Sequence, residues 1–271
     1  MTSELSLRAH ALRALIRRDW LVARSYRTSL VTDLVFGFLN LLIYYFVARA
    51  LRPRIGVNLD GAPSYFAFAT AGVVLALVLQ AGTVVLARRV REEQLTGTLE
   101  MLVAQPIDPP ELALGLAGFP FLFAVGRAFL YLLLAGVFLG LSFAHTSWVG
   151  LVVALCSAGV GFAAIGISIA AIILVFKRGD VLAPAVVVAL TLLGGAVFPT
   201  QVLPGWLDAL SYATPTRYAF EAVRGAQFGA HSWIVPSLIL IGFAVVGLAV
   251  GLYLFTLALR YTARHGTLNQ Y

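Results

Sequence analysis

The sequence predicts an all-α integral membrane protein with six transmembrane helices, and composition and charge spacing support this prediction. Of the 271 residues, 61% are hydrophobic and 11% are charged, and the mean hydropathy is +0.93. Soluble domains are roughly half apolar and a quarter charged. Residues 128–176, 181–207 and 225–259 contain no charged side chain, and a membrane helix needs roughly 20 apolar residues. The composition excludes a disordered protein, a nucleic-acid binder and an ordinary cytosolic enzyme.

Residues 4–27, within an N-terminal segment 1–29, are predicted to form an amphipathic helix. The apolar residues that share one stripe at helical spacing are Leu5, Leu12, Leu15, Ile16, Trp20 and Ala23. Arginines lie beside and opposite this stripe, so we expect the helix to lie in the membrane interface, in contact with lipid. The alternative is a solvated N-terminal helix.

The rest of the chain divides into apolar spans and short polar segments within one membrane domain, residues 1–271. The predicted spans are about 30–49, 64–87, 115–142, 149–175, 181–198 and 233–259. The domain therefore consists of an interface helix (1–29), spans one and two (30–87), a charged loop (88–111), spans three to five (112–198), a half-polar outer segment (199–230), span six (231–259) and a tail (260–271).

The distribution of basic residues predicts the orientation. With both termini in the cytoplasm, the inner segments hold 13 basic residues and the outer loops hold 5. Cytoplasmic loops carry the excess of Lys and Arg. The prediction is a multi-pass protein of the cell (inner) membrane, with its N- and C-termini cytoplasmic and its basic loops facing anionic lipid headgroups.

The charged loop 88–111 is predicted to carry a second amphipathic helix. Leu95, Leu99 and Leu102 would share a face, and Arg89–Glu93 would form an i,i+4 ion pair, as would Arg88 with Glu92. Such a helix fits a groove on a partner protein or the lipid interface without a partner. Composition alone leaves both interpretations open.

Two motifs resemble those of the ABC type-2 exporter permease family. Residues 92–106 (Glu-Glu-Gln-Leu-Thr-Gly-Thr-Leu-Glu-Met-Leu-Val-Ala-Gln-Pro) resemble the family pattern E-x(n)-G-T-x-E-x-L followed by a proline. The second motif lies before the last span and consists of Gly195-Ala-Val-Phe-Pro199, Leu203-Pro-Gly-Trp-Leu207, Thr214-Pro215 and Glu221-Ala-Val-Arg224. The resemblance covers essentially the whole chain.

The resemblance implies an exporter that moves hydrophobic, amphiphilic or lipid-linked cargo such as drugs, lipids or cell-surface glycans. Two permease copies would pair, in a homodimer, and each would bind one ABC ATPase (nucleotide-binding) subunit. Residues 91–104 would be the cytoplasmic coupling helix, with contact residues Glu92, Glu93, Leu95, Thr96, Gly97, Thr98, Glu100 and Leu102. Residues 199–230 would form re-entrant outer helices that cap the exit, with Phe198, Pro199, Pro204, Trp206, Pro215, Arg217, Glu221 and Arg224.

The residues themselves offer no site for ATP hydrolysis. A phosphate-binding loop needs the pattern G-x-x-x-x-G-K-[ST], but the single lysine, Lys177, is followed by Arg178. ATP and Mg are therefore expected in the partner ATPase. We expect no catalytic residue, cofactor or metal site in this chain, since His145 and His231 are isolated and lie far apart in the sequence.

Two charged features leave alternatives open. Arg127 in the third span is either a functional cation or a side chain that extends to the inner headgroups. Arg217, Glu221 and Arg224 form either an ion-pair ladder that holds the outer cap or a contact for a charged cargo headgroup. The alternative functions are an ATP-independent secondary transporter or channel, which the charge-free fourth to sixth spans disfavour, and a membrane enzyme, for which no cluster of His, Asp or Glu is present.

Overall fold

The computed structural model of the protein describes residues 2–51, 59–105, 107–176 and 181–264, and all regular structure in those ranges is helical. The predicted all-α fold is confirmed. The helices are α1 Thr2–Ser25, α2 Arg27–Leu51, α3 Tyr65–Gln80, α4 Leu86–Leu95, α5 Thr98–Val103, α6 Pro109–Leu139, α7 Trp148–Phe176, α8 Leu182–Gly194, α9 Gly205–Ser211, α10 Pro215–Phe228 and α11 Ile234–Arg264. A π-helical turn, Ala81–Val85, joins α3 to α4, and a 3-10 turn, Thr200–Val202, precedes α9.

Five helical stretches in the described ranges are long and apolar enough to cross a membrane. They are Leu30–Ala50, Tyr65–Leu95, Pro109–Leu139, Trp148–Phe176 and Ile234–Arg264. They correspond to the first, second, third, fourth and sixth predicted spans, so the protein is a multi-pass membrane protein.

The predicted fifth span, 181–198, corresponds to the shorter helix α8. Its 13 residues extend about 20 Å at the usual rise of 1.5 Å per residue, less than the roughly 30 Å hydrocarbon core. Gly195 ends the helix because it adopts a left-handed conformation, with φ 71°. The described residues thus contain five helices of spanning length, one fewer than predicted.

The bundle has two ends, defined here by the helices found there. At the α1 end, α1 contacts α4 through the pair Arg18–Glu93. At the α10 end, α10 contacts the segment before α3 through the pair Arg224–Asp60. Since α3 and α4 follow one another, this helical stretch runs from the α10 end to the α1 end.

Helix α7 forms the centre of the bundle and packs on α11, α10, α3, α4 and α6. Small residues permit this close packing, as is usual between membrane helices. A Cβ atom at Gly166 of α7 would overlap the carbonyl oxygen of Gly82 in the π-helical turn. A Cβ atom at Gly251 of α11 would lie 2.9 Å from the carbonyl oxygen of Ala164 in α7.

Candidate functional site

At the α1 end, the loop 88–111 contains a sharp corner between α4 and α5 where one amphipathic helix was predicted. Gly97 adopts φ 74° and separates the two helices, because a left-handed glycine is a common helix terminator. The predicted common face of Leu95, Leu99 and Leu102 is wrong. Leu95 is 54% exposed, whereas Leu99 is buried in a core cluster that includes Leu15.

Hydrogen bonds across this corner give the motif residues a structural role. The Thr98 hydroxyl donates to the Glu93 carboxylate, and the Thr96 hydroxyl donates to the backbone oxygen of Glu92 over 2.8 Å. The two threonine hydroxyls lie 2.9 Å apart. The Gly-Thr pair therefore fixes the direction of α5 relative to α4, since glycine supplies the turn and threonine the hydrogen bond.

The eight predicted coupling residues divide into an outward and an inward group. Glu92, Leu95, Thr96 and Glu100 are exposed, and Glu93, Gly97, Thr98 and Leu102 are partly buried. Sequence analysis missed Met101, which is 70% exposed on α5. We call Leu95, Glu100 and Met101 the corner surface, because they combine two apolar side chains and one carboxylate on exposed helix positions.

Four charged side chains join α1 to α4. Arg18 Nη2 donates to Glu93 Oε1 over 2.7 Å, and Arg18 Nε donates to Asp19 Oδ1 over 3.1 Å. Asp19 also accepts a hydrogen bond from Arg89. Arg89 and Glu93 thus both bind side chains of α1. The predicted Arg89–Glu93 pair within α4 is wrong, because Arg89 pairs with Asp19 and Glu93 pairs with Arg18.

Asp19 is the buried member of this network, with only 2% of its surface exposed. Its Oδ2 atom has no hydrogen-bond partner among the described residues. Burial raises the pKa of the Asp19 carboxyl above its usual range, although Arg89 and Arg18 act to lower it. Sequence analysis did not single out Asp19 as a functional residue. The sequence did offer one signal for its burial: Asp19 lies four residues after Leu15 and therefore on the same, packed face of α1.

The apolar stripe of α1 packs on α6. Leu15 contacts Gly115, Ile16 contacts Gly118, and the ring centroids of Trp20 and Phe119 are 6.4 Å apart. The side chains of Leu5 and Leu12 lie outside the described residues. Helix α1 is therefore attached to the bundle by apolar contacts on α6 and by ion pairs on α4.

At the α10 end, Arg217 holds α9 and α10 together. Its guanidinium donates to Asp208 over 2.7 Å, to Glu221 over 3.0 Å and also to the Ser211 hydroxyl. The guanidinium carbon lies 3.6 Å from the ring centroid of Tyr212. The predicted Arg217–Glu221 pair is present, and it holds short helices together.

Arg224 is buried more deeply, with 2% of its surface exposed. It donates to Asp60 over 3.3 Å and to the backbone oxygens of Gly195 and Ala196 over 2.8 and 3.0 Å. Its guanidinium carbon lies 3.5 Å from the ring centroid of Phe68. Arg224 thus joins α10, the end of α8 and the start of α3, and its guanidinium is shielded from solvent within one chain.

The remaining predicted outer residues mark helix boundaries. Pro204 and Pro215 lie at the starts of α9 and α10, as expected for a residue without a backbone N–H. Pro199 is buried, Phe198 is partly buried, and Trp206 is 71% exposed.

Sequence analysis missed the partners of Arg217 and Arg224, which are Asp60, Asp208, Ser211 and Phe68. Pro106, the basic turn 177–180 and the tail beyond 264 lie outside the described residues.

Among the described ranges, no group of three or more His, Cys, Asp or Glu side chains is placed to hold a metal ion.

Comparison with known proteins identifies a family: a family model for the ABC-2 type transporter matches residues 10–228, most of the chain. No curated protein matches the sequence. The matched region includes α2 to α10, the four charged side chains that join α1 to α4, and the two arginines of α10 with their partners.

Proposed function

We propose that this chain, which belongs to the ABC-2 type transporter family, is the permease subunit of an ATP-driven exporter. Family membership makes it the transport membrane subunit of an ABC transporter, a kind of subunit that is not itself catalytic and that normally works with an ABC ATPase. In our proposal, ATP and Mg bind to that partner, and the cargo is hydrophobic, amphiphilic or lipid-linked. The observation that carries the proposal is the corner surface at the α1 end.

The corner surface is a suitable docking site for the ATPase. Leu95 and Met101 are exposed apolar side chains on the two helices of the corner, and the exposed Glu100 carboxylate precedes Met101 on α5. Protein interfaces combine such apolar anchors with surrounding polar groups. The inward contacts of Leu99 and Thr98 hold α5 in place, so a partner meets a preformed surface.

The same contacts offer two routes for force from the ATPase into the membrane. One route follows α4 into α3, which continue one another through the π-helical turn at Ala81–Val85. The other passes from Glu93 to Arg18 and so into α1. Movement of the ATPase would then displace α3 and α1 together.

The charges of the two ends support cytoplasmic termini. The α1 end carries exposed or partly exposed arginines, which are Arg13, Arg17, Arg18, Arg24, Arg88, Arg89, Arg91, Arg260 and Arg264. At the α10 end, Arg217 and Arg224 are paired with carboxylates, and Arg49 is exposed. Among the described residues, the excess of positive charge therefore lies at the α1 end, which we place on the inner side of the cell membrane. Helices α9 and α10 would then be the re-entrant outer cap.

The exposed apolar faces support pairing with a second copy. Only 11% of the Leu30–Ala50 span is buried within one chain, and α8 exposes Val188 and Leu192. We propose that two copies form a homodimer in which α2, α3 and α8 line the cargo route. An apolar route suits an amphiphile better than a small hydrophilic ion.

Purification of the tagged chain from its native membrane in mild detergent, followed by mass spectrometry, tests this function. The proposal predicts a co-purifying nucleotide-binding ATPase in a one-to-one ratio with the chain. The alternative is an ATP-independent secondary transporter or channel. Cargo transport by the purified chain alone in liposomes without ATP would contradict the exporter and support that alternative.

A further inference from the structure

Arg127 is a cation within a spanning helix, and it forms no salt bridge with a carboxylate of the described residues. It lies on α6 within the spanning stretch Pro109–Leu139. Its guanidinium carbon is 5.6 Å from the ring centroid of Phe123 and 6.0 Å from that of Tyr131. The Arg127 Nε atom is buried without a hydrogen-bond partner, and no carboxylate among the described residues lies within 4.0 Å of the side chain. A cation in this position is costly and marks a functional site by default.

An apolar cavity of about 440 Å³ lies beside this cation, between α1, α2 and α6. Its lining includes Ile16, Trp20, Leu34, Phe119, Phe123 and Arg127, and Arg127 is its one charged lining residue. Gly126 also lines it, and a Cβ atom built there meets nothing within 4 Å. The cavity can therefore accept more atoms than the chain itself provides.

The cavity lies between the amphipathic helix α1 and the apolar spanning helices α2 and α6. Trp20 belongs to α1, the helix whose amphipathic character suits the interface. Leu122 and Leu130 also line the cavity, and both are exposed on α6 where acyl chains would surround them. A ligand that fills the cavity meets a positive charge, apolar walls and an open side towards lipid.

We propose that this cavity binds one anionic membrane phospholipid. The headgroup phosphate would accept hydrogen bonds from Arg127 and would supply its counterion. An acyl chain would follow the exposed surface of α6. A neutral hydrophobic molecule would leave the cation unpaired, and free phosphate would gain nothing from the apolar walls. A lipid in this place contacts α1, α2 and α6 at once, so it would help to hold the interface helix against the bundle. The site does not depend on ATPase docking.

Lipid binding to the purified chain tests the proposal. The delipidated protein in a neutral detergent is titrated with dioleoyl phosphatidylglycerol, with dioleoyl phosphatidylcholine and with inorganic phosphate, and bound molecules are counted by native mass spectrometry. Arg127→Gln removes the cation. Gly126→Leu fills the cavity and leaves the cation in place. The matched controls are Arg260→Gln, at an exposed arginine, and Gly242→Leu on α11, where a Cβ also meets nothing within 4 Å.

The proposal predicts that the wild-type chain binds phosphatidylglycerol about fivefold more tightly than phosphatidylcholine, as expected for one added charge contact near the membrane. Arg127→Gln should remove this preference, Gly126→Leu should weaken the binding of both lipids, and both controls should behave as wild type. Equal affinity of the wild-type chain for the two lipids, an unchanged preference in Arg127→Gln, or full binding by Gly126→Leu would overturn it. Binding of inorganic phosphate as tight as that of phosphatidylglycerol would also overturn it, because the site would then recognise an anion without its acyl chains.

Discussion

Arg18 Nη2 lies 2.7 Å from Glu93 Oε1, and this bond connects α1 to the end of α4. The same glutamate accepts from the Thr98 hydroxyl at the start of α5. One carboxylate thus fixes three helices relative to one another. Glu93 lies within the motif at residues 92–106, so the motif encodes a connection to α1 as well as a turn.

A double-mutant cycle measures this connection. Arg18→Gln, Glu93→Gln and the double variant should show a coupling energy of about 0.5–1 kcal/mol in thermal unfolding, at the lower end of the range for contacting residues. The reason is that the Arg18 side chain is 37% exposed, so water screens the pair. Additive effects of the two single changes would contradict the connection.

The buried carboxyl of Asp19 predicts a pH dependence of stability. Burial raises its pKa above the ordinary value of 3.8, so the folded state binds the proton more tightly than the unfolded state. Stability from this group is therefore lost as pH rises from 3.8 through the raised pKa. The unfolding temperature of the wild-type chain should fall relative to that of Asp19→Asn as the pH is raised from 3.8 through the raised pKa. Glu92→Gln, at an exposed carboxylate, serves as the control. A wild-type chain that gains stability relative to Asp19→Asn over this range would contradict the assignment.

Arg224 should be essential for the integrity of the α10 end. Arg224→Leu leaves the Asp60 carboxylate and the backbone oxygens of Gly195 and Ala196 without their shared donor. The two carbonyl oxygens are buried, and leaving buried acceptors unpaired costs about 1–3 kcal/mol, which thermal unfolding in detergent would show. Arg260→Leu, at an exposed arginine, should change stability by less than about 0.5 kcal/mol. Equal effects of the two substitutions would show that Arg224 does not hold the cap.

The contact between Gly166 and the π-helical turn should tolerate no side chain. Gly166→Val places atoms where the Gly82 carbonyl lies, and such overpacking costs about 1–3 kcal/mol or more. Gly242→Val on α11 meets open space and serves as the matched control. Size-exclusion chromatography after mild heating should show loss of the folded peak for Gly166→Val alone. Equal recovery of the two variants would contradict the close packing.

The long spans could be predicted from the sequence because the bilayer imposes a simple rule, a long apolar stretch with few charges. The length of α8 could not, because the stretch without charge continues to residue 207, while the helix ends at Gly195 through its backbone conformation. The corner at Gly97 was also missed because a left-handed glycine ends the helix there, and the hydrophobic pattern does not specify that backbone conformation. A glycine inside an amphipathic pattern is tolerated in a helix, and the tertiary contact of Leu99 decides where the chain turns.

The pairing of charges was predicted well only where the partners are neighbours in the sequence. Arg217–Glu221 is an i,i+4 pair and is present. Asp19–Arg89 and Asp60–Arg224 join residues that are 70 and 164 positions apart, and no local pattern connects them. Arg89 and Glu93 have the spacing of a local pair, but the nearby charges of α1 attract both.

Photocrosslinking from the corner surface is the most direct test of the proposed docking. A photoreactive phenylalanine analogue at Met101, which is 70% exposed, is compared with the same analogue at Trp206, which is 71% exposed at the α10 end. In native membranes, docking at the corner surface predicts a crosslink between position 101 and a nucleotide-binding ATPase, no such crosslink from position 206, and loss of the first crosslink when Glu100 is changed to Arg. A crosslink to the ATPase from position 206 with none from 101 would contradict docking at this surface.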